Sequence, residues 1–386
     1  MLSIQDYRLP EQLDEYRQAL RRFVKEECDP LAQEIEETNA LPPRLWDRFR
    51  EAGLFRLTLP RQYGGIGLTA GQYGPLLEEI AHSHGTIRLF VHIWNWIGSG
   101  ALMRYGTDEQ RRAYLPAMVR GESTFAFALT EPDAGTGTDI RTSARRDGDV
   151  YYLTGNKHLV SCADHARAIQ VIAYTDRAKG ENGITMFVVE KSGPGVVMSA
   201  QPDGMGMRGS FHGAFRFEDA PVPAGNLLGE EGQGLQVALD ILDTSRVFIG
   251  LSCVGLAQEL LDRSVAHTWK RVTFGKPLAQ RQAIQGMIAN MATEIAAARA
   301  LAMAVVARVD AGEQVRREAS QVKLFGLQMV GRVADWALEI HGGIGYLKET
   351  AIERYYRDSR ALWFEEGSPT IQRQVIARDV LAHGRQ

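Results

Sequence analysis

The sequence changes its periodicity twice, and this division into three stretches restricts the possible folds more than any other feature. In residues 1–122, apolar residues recur at helical spacing, as they do between Glu11 and Glu37. In residues 123–230, Gly and Pro are frequent and the apolar runs are short. Residues 231–386 return to long stretches with helical spacing. This order predicts an α+β protein with a helical domain, a β domain and a second helical domain.

The middle stretch contains three apolar runs rich in β-branched and aromatic residues. The predicted strands are Ala168–Tyr174, Ile184–Glu190 and Ala214–Glu218. No amphipathic segment of helix length lies between these runs, so a parallel sheet with crossover helices is not favoured. The pattern predicts an antiparallel β-barrel or sandwich.

Capping residues indicate where several helices begin and end. One helix follows Pro43 and ends near Gly53, and another begins after Thr69, whose hydroxyl can accept from first-turn amides. Gly106 ends a further helix, and Thr107 opens the next with a capping pattern. The predicted helices of the last stretch are Leu235–Trp269, Gln282–Ala311 and Val315–Ile340. Such lengths are typical of an antiparallel bundle.

Composition disfavours several classes of partner. The net charge of −3 provides no basic field for nucleic acid or for an anionic membrane. No apolar run reaches the roughly 18 residues of a membrane-spanning helix, and the N-terminus lacks an apolar signal core. The cysteines at 28, 162 and 253 are far apart and odd in number, so neither a disulfide framework nor a zinc site is predicted. We expect a cytoplasmic protein without membrane insertion or a metal.

Three kinds of motif suggest other activities, but the residues around them do not fit those activities. Gly65–Ala70 matches the dinucleotide fingerprint, but that fingerprint follows a strand, and turn-forming residues precede it here. Neither Ser99 nor Ser210 lies in a hydrolase nucleophile elbow. The nine histidines include no metal-binding pattern, and we expect His82 and His84 to be exposed.

Five groups of residues together resemble the acyl-CoA dehydrogenase family. They are Phe127–Thr136; Gly204–Ser210 with Phe217–Pro223 and Asn226–Gly229; Arg271–Lys276 with Gln282–Ile284; Ile340–Gly345; and Glu366–Arg373. Each motif alone is modest evidence. The five motifs occur in the family's order and roughly at its spacing, and the resemblance extends from about residue 10 to 383. The probability that all five agree by chance is therefore very small.

The resemblance implies an N-terminal helical domain, a middle β domain and a C-terminal four-helix bundle, in agreement with the periodicity. It also implies an FAD cofactor, an acyl-CoA substrate and an electron-transfer flavoprotein as the electron acceptor. In the family the cofactor site is shared between protomers, which implies at least a dimer, and we expect a homotetramer. The expectation of FAD comes from the resemblance alone.

Glu366 stands where the family has its catalytic base. In the implied reaction, the base removes the proton next to the thioester while the β hydrogen leaves as hydride to flavin N5. Charge that develops on the thioester oxygen needs hydrogen-bond donors. In the family these are the amide of the base, here Glu366, and a flavin hydroxyl. Gly367 permits a close approach of the backbone to the ligand. The alternative is an exposed glutamate at a helix start.

Some relatives place the base on an earlier helix, just before the arginine of a D-x-x-R pattern. Here that pattern is Asp243–Arg246, and Ser245 occupies the position. Serine cannot act as this carboxylate base, which strengthens the prediction for Glu366. Arg246 and Arg378 resemble ligand-binding arginines, and Asp243 and Gly367 complete the expected substrate contacts. The alternative for both arginines is a surface ion pair.

The resemblance implies three groups of cofactor contacts. Those expected beside the flavin ring are Phe127, Leu129, Thr130, Gly135, Thr136, Leu159 and Ser161, with Thr136 also near the substrate. Those expected at the diphosphate of a neighbouring subunit's FAD are Arg271, Thr273, Gln282, Glu339, Gly342 and Gly343. Ser368 and Thr370 are the remaining contacts, with Thr370 near the adenosine. Arginine suits the diphosphate because its planar fork matches phosphate oxygens.

Four positions depart from the usual family pattern. Leu159 replaces an aromatic residue against the flavin, so ring stacking is not expected there. Glu339 replaces a glutamine and would repel a diphosphate unless it turns away or is paired. Thr370 also replaces a glutamine. Glu365 replaces an aromatic residue beside the base and makes the acyl pocket more polar.

The segment from Arg88 to Trp96 bears on the acyl group. Arg88 and His92 are four residues apart and share a helix face. By its distance before Tyr105, Arg88 resembles the arginine that holds the distal carboxylate in glutaryl-CoA dehydrogenases. Alternatively, Arg88 caps an exposed helix start and the aromatic residues fill the core. A tryptophan at 94 or 96 in the pocket would exclude long chains, so short, branched or carboxylated acyl groups are favoured.

Several other functions remain open from the sequence. An acyl-CoA oxidase and a dehydrogenase of carrier-protein thioesters share this fold and chemistry. A non-catalytic flavoprotein of the same fold and a helical scaffold without flavin are further alternatives.

Overall fold

In the computed structural model, residues 10–135 and 137–383 are described. Seven α-helices of this described part precede the first strand. They are α1 (Pro10–Phe23), α2 (Ala32–Thr38), α3 (Pro43–Glu51), α4 (Ala70–Ile80), α5 (Gly85–His92), α6 (Gly98–Tyr105) and α7 (Asp108–Val119). Helix α4 begins at a capping box between Thr69 and Gln72, and α7 begins at one between Thr107 and Gln110, as the sequence predicts.

A π-helical turn, Ile93–Ile97, joins α5 to α6. Such turns insert an extra residue and often occur at functional sites. Phe90 and Trp94 lie in the core of the helical domain, as expected for aromatic residues of this segment, while Trp96 is only partly buried.

The middle domain is built on one seven-stranded sheet. Its strands are β1 (Thr124–Ala128), β2 (Ser143–Asp147), β3 (Val150–Ser161), β4 (Ala166–Tyr174), β5 (Ile184–Glu190), β6 (Val196–Ala200) and β7 (His212–Pro223). The sheet order is β1-β4-β2-β3-β7-β6, and β5 pairs with β4. The three predicted strands are present within β4, β5 and β7.

The sheet is not wholly antiparallel, which corrects one expectation. Strand β1 runs parallel to β4 from Phe125↔Ala168 to Ala128↔Val171, and β2 meets β4 in parallel at Ser143↔Tyr174. The chain returns from β1 through the β2–β3 hairpin before it enters β4. This long connection permits a parallel pair without a crossover helix.

The C-terminal domain consists of long helices. They are α8 (Gly234–Lys270), α9 (Gln282–Asp310), α10 (Arg316–His341), α11 (Ala351–Ala361) and α12 (Pro369–His383). A short hairpin of β8 (Val272–Thr273) and β9 (Lys276–Pro277) connects α8 to α9. The three long helices predicted from periodicity lie within one residue of their observed bounds.

The N-terminal helical domain packs closely on the C-terminal helices through α4 and α8. A Cβ atom at Gly255 would lie 2.1 Å from the carbonyl oxygen of Glu78, and one at Gly74 would lie 2.8 Å from Leu251. Only glycine fits such an approach of two backbones. The contact brings α5, which follows α4, close to the middle of α8. In the described part of the chain, no helix combines the length and apolar character required to cross a bilayer.

Candidate active site

Glu366 lies in a tight turn between α11 and α12. Its φ is +57°, a left-handed conformation that is uncommon for a residue other than glycine, and the φ of Gly367 is +97°. Strained backbone of this kind persists only where the surrounding structure enforces it. We call residues 365–367 the catalytic turn.

Three buried side chains hold the carbonyl groups of residues 365–367. The Lys323 ammonium donates to the first carbonyl and, at 2.5 Å, to the third. Arg246 Nε donates to the middle carbonyl at 3.3 Å. Gln372 Nε2 donates to the middle carbonyl at 3.3 Å and to the third at 3.0 Å. Among the described residues, the Glu366 amide makes no hydrogen bond within the protein, so it is available to a ligand.

The Glu366 carboxylate is enclosed, with 8% of its side chain exposed. Ser245 Oγ donates to its Oε1 at 2.5 Å. Oε2 is buried and has no hydrogen-bond partner in the described part of the protein. The alternative of an exposed glutamate is therefore wrong. One oxygen is fixed by the protein, and the other is left for a ligand.

His92 extends this contact away from the catalytic turn. Its Nε2 lies 2.7 Å from Ser245 Oγ and 3.6 Å from Glu366 Oε1. Its Nδ1 lies 3.4 Å from the Tyr73 hydroxyl. Sequence reasoning placed His92 on the Arg88 face of its helix but gave it no role. Its partners lie on other helices, so only the fold reveals them.

Arg88 and Glu365 form a bidentate ion pair beside the base. Arg88 Nη1 and Nη2 donate to the two carboxylate oxygens at 2.8 and 2.6 Å. Arg88 is 2% exposed, so the alternative of an exposed helix cap is wrong. Burial raises the pKa of the Glu365 carboxyl, but the charge and the hydrogen bonds of Arg88, together with the Lys323 charge, hold that pKa below its usual value. Both groups therefore remain charged.

Arg246 and Asp243 are joined in a second ion pair on α8. Arg246 Nη1 donates to Asp243 Oδ1 at 2.6 Å, and Arg316 Nε donates to Oδ2 at 2.7 Å. Arg246 is 4% exposed and touches the catalytic turn, so the alternative of a surface ion pair is wrong for it. Arg378 lies exposed on α12. Among the described residues, no contact joins Arg378 to this site, so its role in ligand binding stays a prediction.

The residues expected beside the flavin ring lie on adjacent segments. Phe127 is on β1, Leu129 and Thr130 follow it, and Ser161 ends β3. His158 N donates to Thr130 O at 3.0 Å, which fixes the two segments side by side. Contact of these residues with the flavin ring stays a prediction.

A buried ion pair anchors the loop that follows β1. Glu131 Oε1 accepts from Lys157 Nζ at 2.8 Å and from the Thr142 hydroxyl at 2.6 Å, and Oε2 accepts from Arg141 N at 2.6 Å. Lys157 also donates to Leu129 O at 2.9 Å. Burial lowers the pKa of Lys157 to about 8 despite this carboxylate. Sequence reasoning missed the pair.

The open positions of this loop and strand fit a large planar group. Leu159 is 56% exposed, with φ of +54° in the irregular end of β3. A Cβ atom at Gly135 would meet nothing within 4 Å. Thr136 lies outside the described residues.

The residues expected at a neighbouring subunit's FAD gather at one end of the C-terminal domain. Arg271 follows α8, Gln282 starts α9, and Gly342 and Gly343 follow α10. The rings of His267 and His341 stack at 4.2 Å, which joins the ends of α8 and α10.

This end of the domain is open rather than filled by its own side chains. Arg271 and Gln282 are exposed, and Thr273 is half-buried. A Cβ atom at Gly342 or Gly343 would meet nothing within 4 Å.

The remaining expected cofactor positions lie near the surface. Glu339 is exposed on α10, which is compatible with its turning away from a diphosphate. Ser368 is half-buried before α12, and Thr370 is exposed in its first turn.

His82 and His84 are buried, contrary to expectation, because each faces a carboxylate. His82 Nδ1 lies 3.2 Å from Glu259, and His84 Nε2 lies 3.0 Å from Glu36. Among the described residues, His82, Glu259 and Asp262 are close enough to consider a metal ion. Glu259 is already bonded to Arg263 at 2.6 Å, so this group carries no metal assignment.

Comparison with known proteins agrees with this geometry along the whole chain. The family profiles of the acyl-CoA dehydrogenase N-terminal, middle and C-terminal domains match residues 10–122, 126–220 and 232–381. The 3-(aryl)acrylate reductase of Clostridium sporogenes is 36% identical over 372 residues, covering 96% of this chain and 99% of that protein.

Two further proteins are similar over almost their full length. Subunit CarC of the caffeyl-CoA reductase-Etf complex of Acetobacterium woodii is 34% identical, covering 94% of this chain and 96% of that protein. The structure of butyryl-CoA dehydrogenase from Megasphaera elsdenii superposes with a TM-score of 0.90 at 30% identity, covering 98% of this chain and all of that one. This chain belongs to the acyl-CoA dehydrogenase family of FAD-dependent oxidoreductases, with all three of the family's domains.

Proposed function

We propose that this chain catalyses the α,β-dehydrogenation of a short, uncharged acyl-CoA thioester, with Glu366 as the base. One observation carries the proposal. Glu366 has one oxygen fixed by Ser245, while its second oxygen is buried without a partner. A desolvated oxygen of this kind is available to accept the α proton, because no protein donor competes for it.

The catalytic turn supplies the second requirement of the reaction. Removal of the α proton places negative charge on the thioester oxygen, and a pre-oriented donor stabilises that charge. The Glu366 amide is a suitable donor because Lys323, Arg246 and Gln372 hold the neighbouring carbonyls and fix the orientation of the turn. Bound FAD would accept the β hydrogen as a hydride.

The same residues support the reverse reaction, which is the second candidate function. A protonated Glu366 returns its proton to the α carbon when a double bond is reduced, by microscopic reversibility. Two of the similar proteins are named as reductases, and one of those belongs to an Etf complex. We therefore infer an electron-transfer flavoprotein as the redox partner in either direction.

The Arg88–Glu365 pair supports an acyl group without a distal carboxylate. A carboxylate that bound Arg88 would have to displace Glu365, and Glu365 would then be a buried charge without its partner. The aromatic rings of Tyr73, Trp96 and Phe248 pack together beside His92, and we expect such bulky side chains near the base to limit the length of the acyl chain. The sequence favours short, branched or carboxylated acyl groups. Of these, we propose the short and the branched ones and not the carboxylated ones.

We also propose that the protein is a homo-oligomer, a tetramer on family grounds, with each FAD held by two protomers. Phe274, at the tip of the hairpin between α8 and α9, is 99% exposed. Trp269, Val272 and Tyr346 at the same end of the domain are 62%, 55% and 80% exposed. An exposed apolar surface of this kind is typical of an interface. The three buried free cysteines are compatible with a cytoplasmic location.

A substrate panel tests the proposed function. The purified yellow protein is mixed without oxygen with short straight, short branched, long-chain and ω-carboxylated acyl-CoA, and flavin absorbance is followed. We expect short neutral thioesters to bleach the flavin fastest. No bleaching by any of them would refute dehydrogenation of acyl-CoA, and bleaching by carrier-protein thioesters alone would support the carrier-protein alternative. Fast reoxidation of reduced flavin by oxygen would instead indicate an oxidase.

A further inference from the structure

A buried chain of hydrogen bonds reaches Glu366 from the N-terminal helical domain. It runs from Tyr73 on α4 through His92 on α5 and Ser245 on α8 to Glu366 Oε1, with successive distances of 3.4, 2.7 and 2.5 Å. Tyr73 and Ser245 are fully buried, and His92 is 1% exposed. The chain crosses three separate helices, so its alignment depends on tertiary packing.

The donors and acceptors of this chain have one consistent arrangement. Burial raises the pKa of the Tyr73 phenol well above its usual value, so Tyr73 retains its proton and donates to His92 Nδ1. His92 then carries its proton on Nε2 and donates to Ser245 Oγ. Ser245 donates its own proton to Glu366 Oε1. The tautomer is assigned from this network of contacts.

This arrangement has a consequence for the base. Oε1 is engaged by a short hydrogen bond, while Oε2 has no partner among the described residues. We propose that His92 and Ser245 are positioning residues, which fix the Glu366 carboxylate so that Oε2 is the single basic oxygen. This inference rests on the proposed function of Glu366 and extends the contact with Ser245 to His92 and Tyr73, to which that function assigns no role.

The His92 ring also lies close to the base itself. Its Nε2 is 3.6 Å from Glu366 Oε1, so the ring and the Ser245 hydroxyl together confine that oxygen. The charged groups around both residues also set the electrostatic field at the base.

Other charged groups around His92 and Glu366 contribute to the same field. The titratable and charged groups are Tyr73 of α4, Arg88 of α5, Arg246 of α8, Lys323 of α10, and Glu365 and Glu366 of the catalytic turn. Arg88 and Glu365 neutralise each other, and Arg246 is paired with Asp243. Single substitutions of His92 isolate its own contribution from this field.

Three variants test the proposal in the flavin-loaded protein. Ser245→Ala removes the link, Ser245→Thr keeps a hydroxyl as the matched conservative variant, and His92→Gln keeps a side-chain donor but removes the imidazole ring. The rate of flavin bleaching by the best acyl-CoA and its KM are measured for each variant. We expect Ser245→Ala to lower this rate about 10- to 100-fold with little change in KM. Ser245→Thr should recover most of the rate lost in Ser245→Ala, and His92→Gln should lower the rate less than Ser245→Ala does.

A crystallographic measurement keeps the proposal separate from the proposed function. We expect the Glu366 carboxylate to adopt one rotamer in the wild type and to turn or split in Ser245→Ala. This comparison decides the positioning role even if no acyl-CoA bleaches the wild-type flavin, a result that would refute the proposed function alone. An unchanged Glu366 rotamer in Ser245→Ala, or wild-type bleaching rates in both Ser245→Ala and His92→Gln, would overturn the inference.

Discussion

Arg88 and Glu365 neutralise each other inside the protein, one residue from the proposed base. Their bidentate contact joins α5 of the N-terminal helical domain to the catalytic turn at 2.8 and 2.6 Å. The guanidinium that could recognise a substrate carboxylate is thus occupied by a carboxylate of the same chain. We expect the selectivity for the acyl group to depend on this ion pair.

Release of Arg88 should change the choice of substrate. In Glu365→Gln, the guanidinium loses its charged partner, and an ω-carboxylate of the acyl chain can replace it. We expect the ratio of kcat/KM for ω-carboxylated over neutral short acyl-CoA to rise at least about 10-fold, since a charge-assisted hydrogen bond contributes about 1.5–3 kcal/mol. Glu365→Asp, which keeps the charge, is the control. An unchanged ratio in Glu365→Gln would show that this pair does not set selectivity.

Lys323 should make stability depend on pH in the alkaline range. Burial lowers the pKa of Lys323 from about 10.5 to about 8. Between these values the unfolded chain holds a proton that the folded protein lacks, so folding becomes more favourable as pH rises. The wild type should gain about 1.4 kcal/mol of stability per pH unit relative to Lys323→Met.

Urea unfolding of both proteins at pH 8.5 and pH 10 measures this difference. A gap between wild type and Lys323→Met that stays constant with pH would contradict the prediction. The catalytic turn provides a second measure. Lys323→Met leaves the Glu365 carbonyl without its donor and the Gly367 carbonyl with Gln372 alone, so bleaching of the flavin should also slow.

The periodicity of the sequence predicted the helices better than the strands. Thr69 and Thr107 cap their helices as expected because both partners of a capping box lie within four residues. The parallel pairing of β1 with β4 joins residues about 40 apart, which local patterns do not reveal. Strand β6 was missed because it has only five residues and its apolar residues do not alternate with polar ones.

The sequence predicted those residues of the candidate site that belong to a recognisable motif. Glu366 was identified by its motif, whereas Lys323 was not, because a lysine in an amphipathic helix is usually solvated. Its partners are backbone carbonyls, which have no sequence signature. The prediction that His82 is exposed was wrong for a related reason. Its partner Glu259 is 177 residues away in the sequence, so local patterns do not reveal the contact.

The Glu131–Lys157 ion pair should be required to hold the conformation of the loop that we expect beside the flavin. Glu131→Gln leaves the Lys157 charge buried without its counter-ion, which should destabilise the protein by about 3–5 kcal/mol. We expect a lower midpoint of urea unfolding and weaker FAD retention on gel filtration. Glu122→Gln is the matched control, because Glu122 pairs with Arg120 on the surface and such pairs contribute at most about 1 kcal/mol. Equal effects of the two variants would contradict a special role for the buried pair.

The exposed end of the C-terminal domain should be an interface that completes the cofactor site. Phe274→Ser removes the most exposed aromatic side chain, and Arg271→Gln removes the expected phosphate contact without changing the apolar surface. Analytical ultracentrifugation should show smaller species for Phe274→Ser, with loss of FAD. Arg271→Gln should keep the oligomer but bind FAD more weakly. A wild-type monomer with full FAD content would refute the shared site.

The most direct test of the account is the reduction of bound flavin by acyl-CoA in Glu366→Gln. Glutamine keeps the size of the side chain and can still accept from Ser245, but it has no basic oxygen. The account predicts wild-type FAD content and a bleaching rate lower by about 10²–10⁴-fold, with the exposed Glu181→Gln as a control that retains the wild-type rate. Bleaching of the Glu366→Gln flavin at a rate comparable to that of the wild type would contradict the central claim.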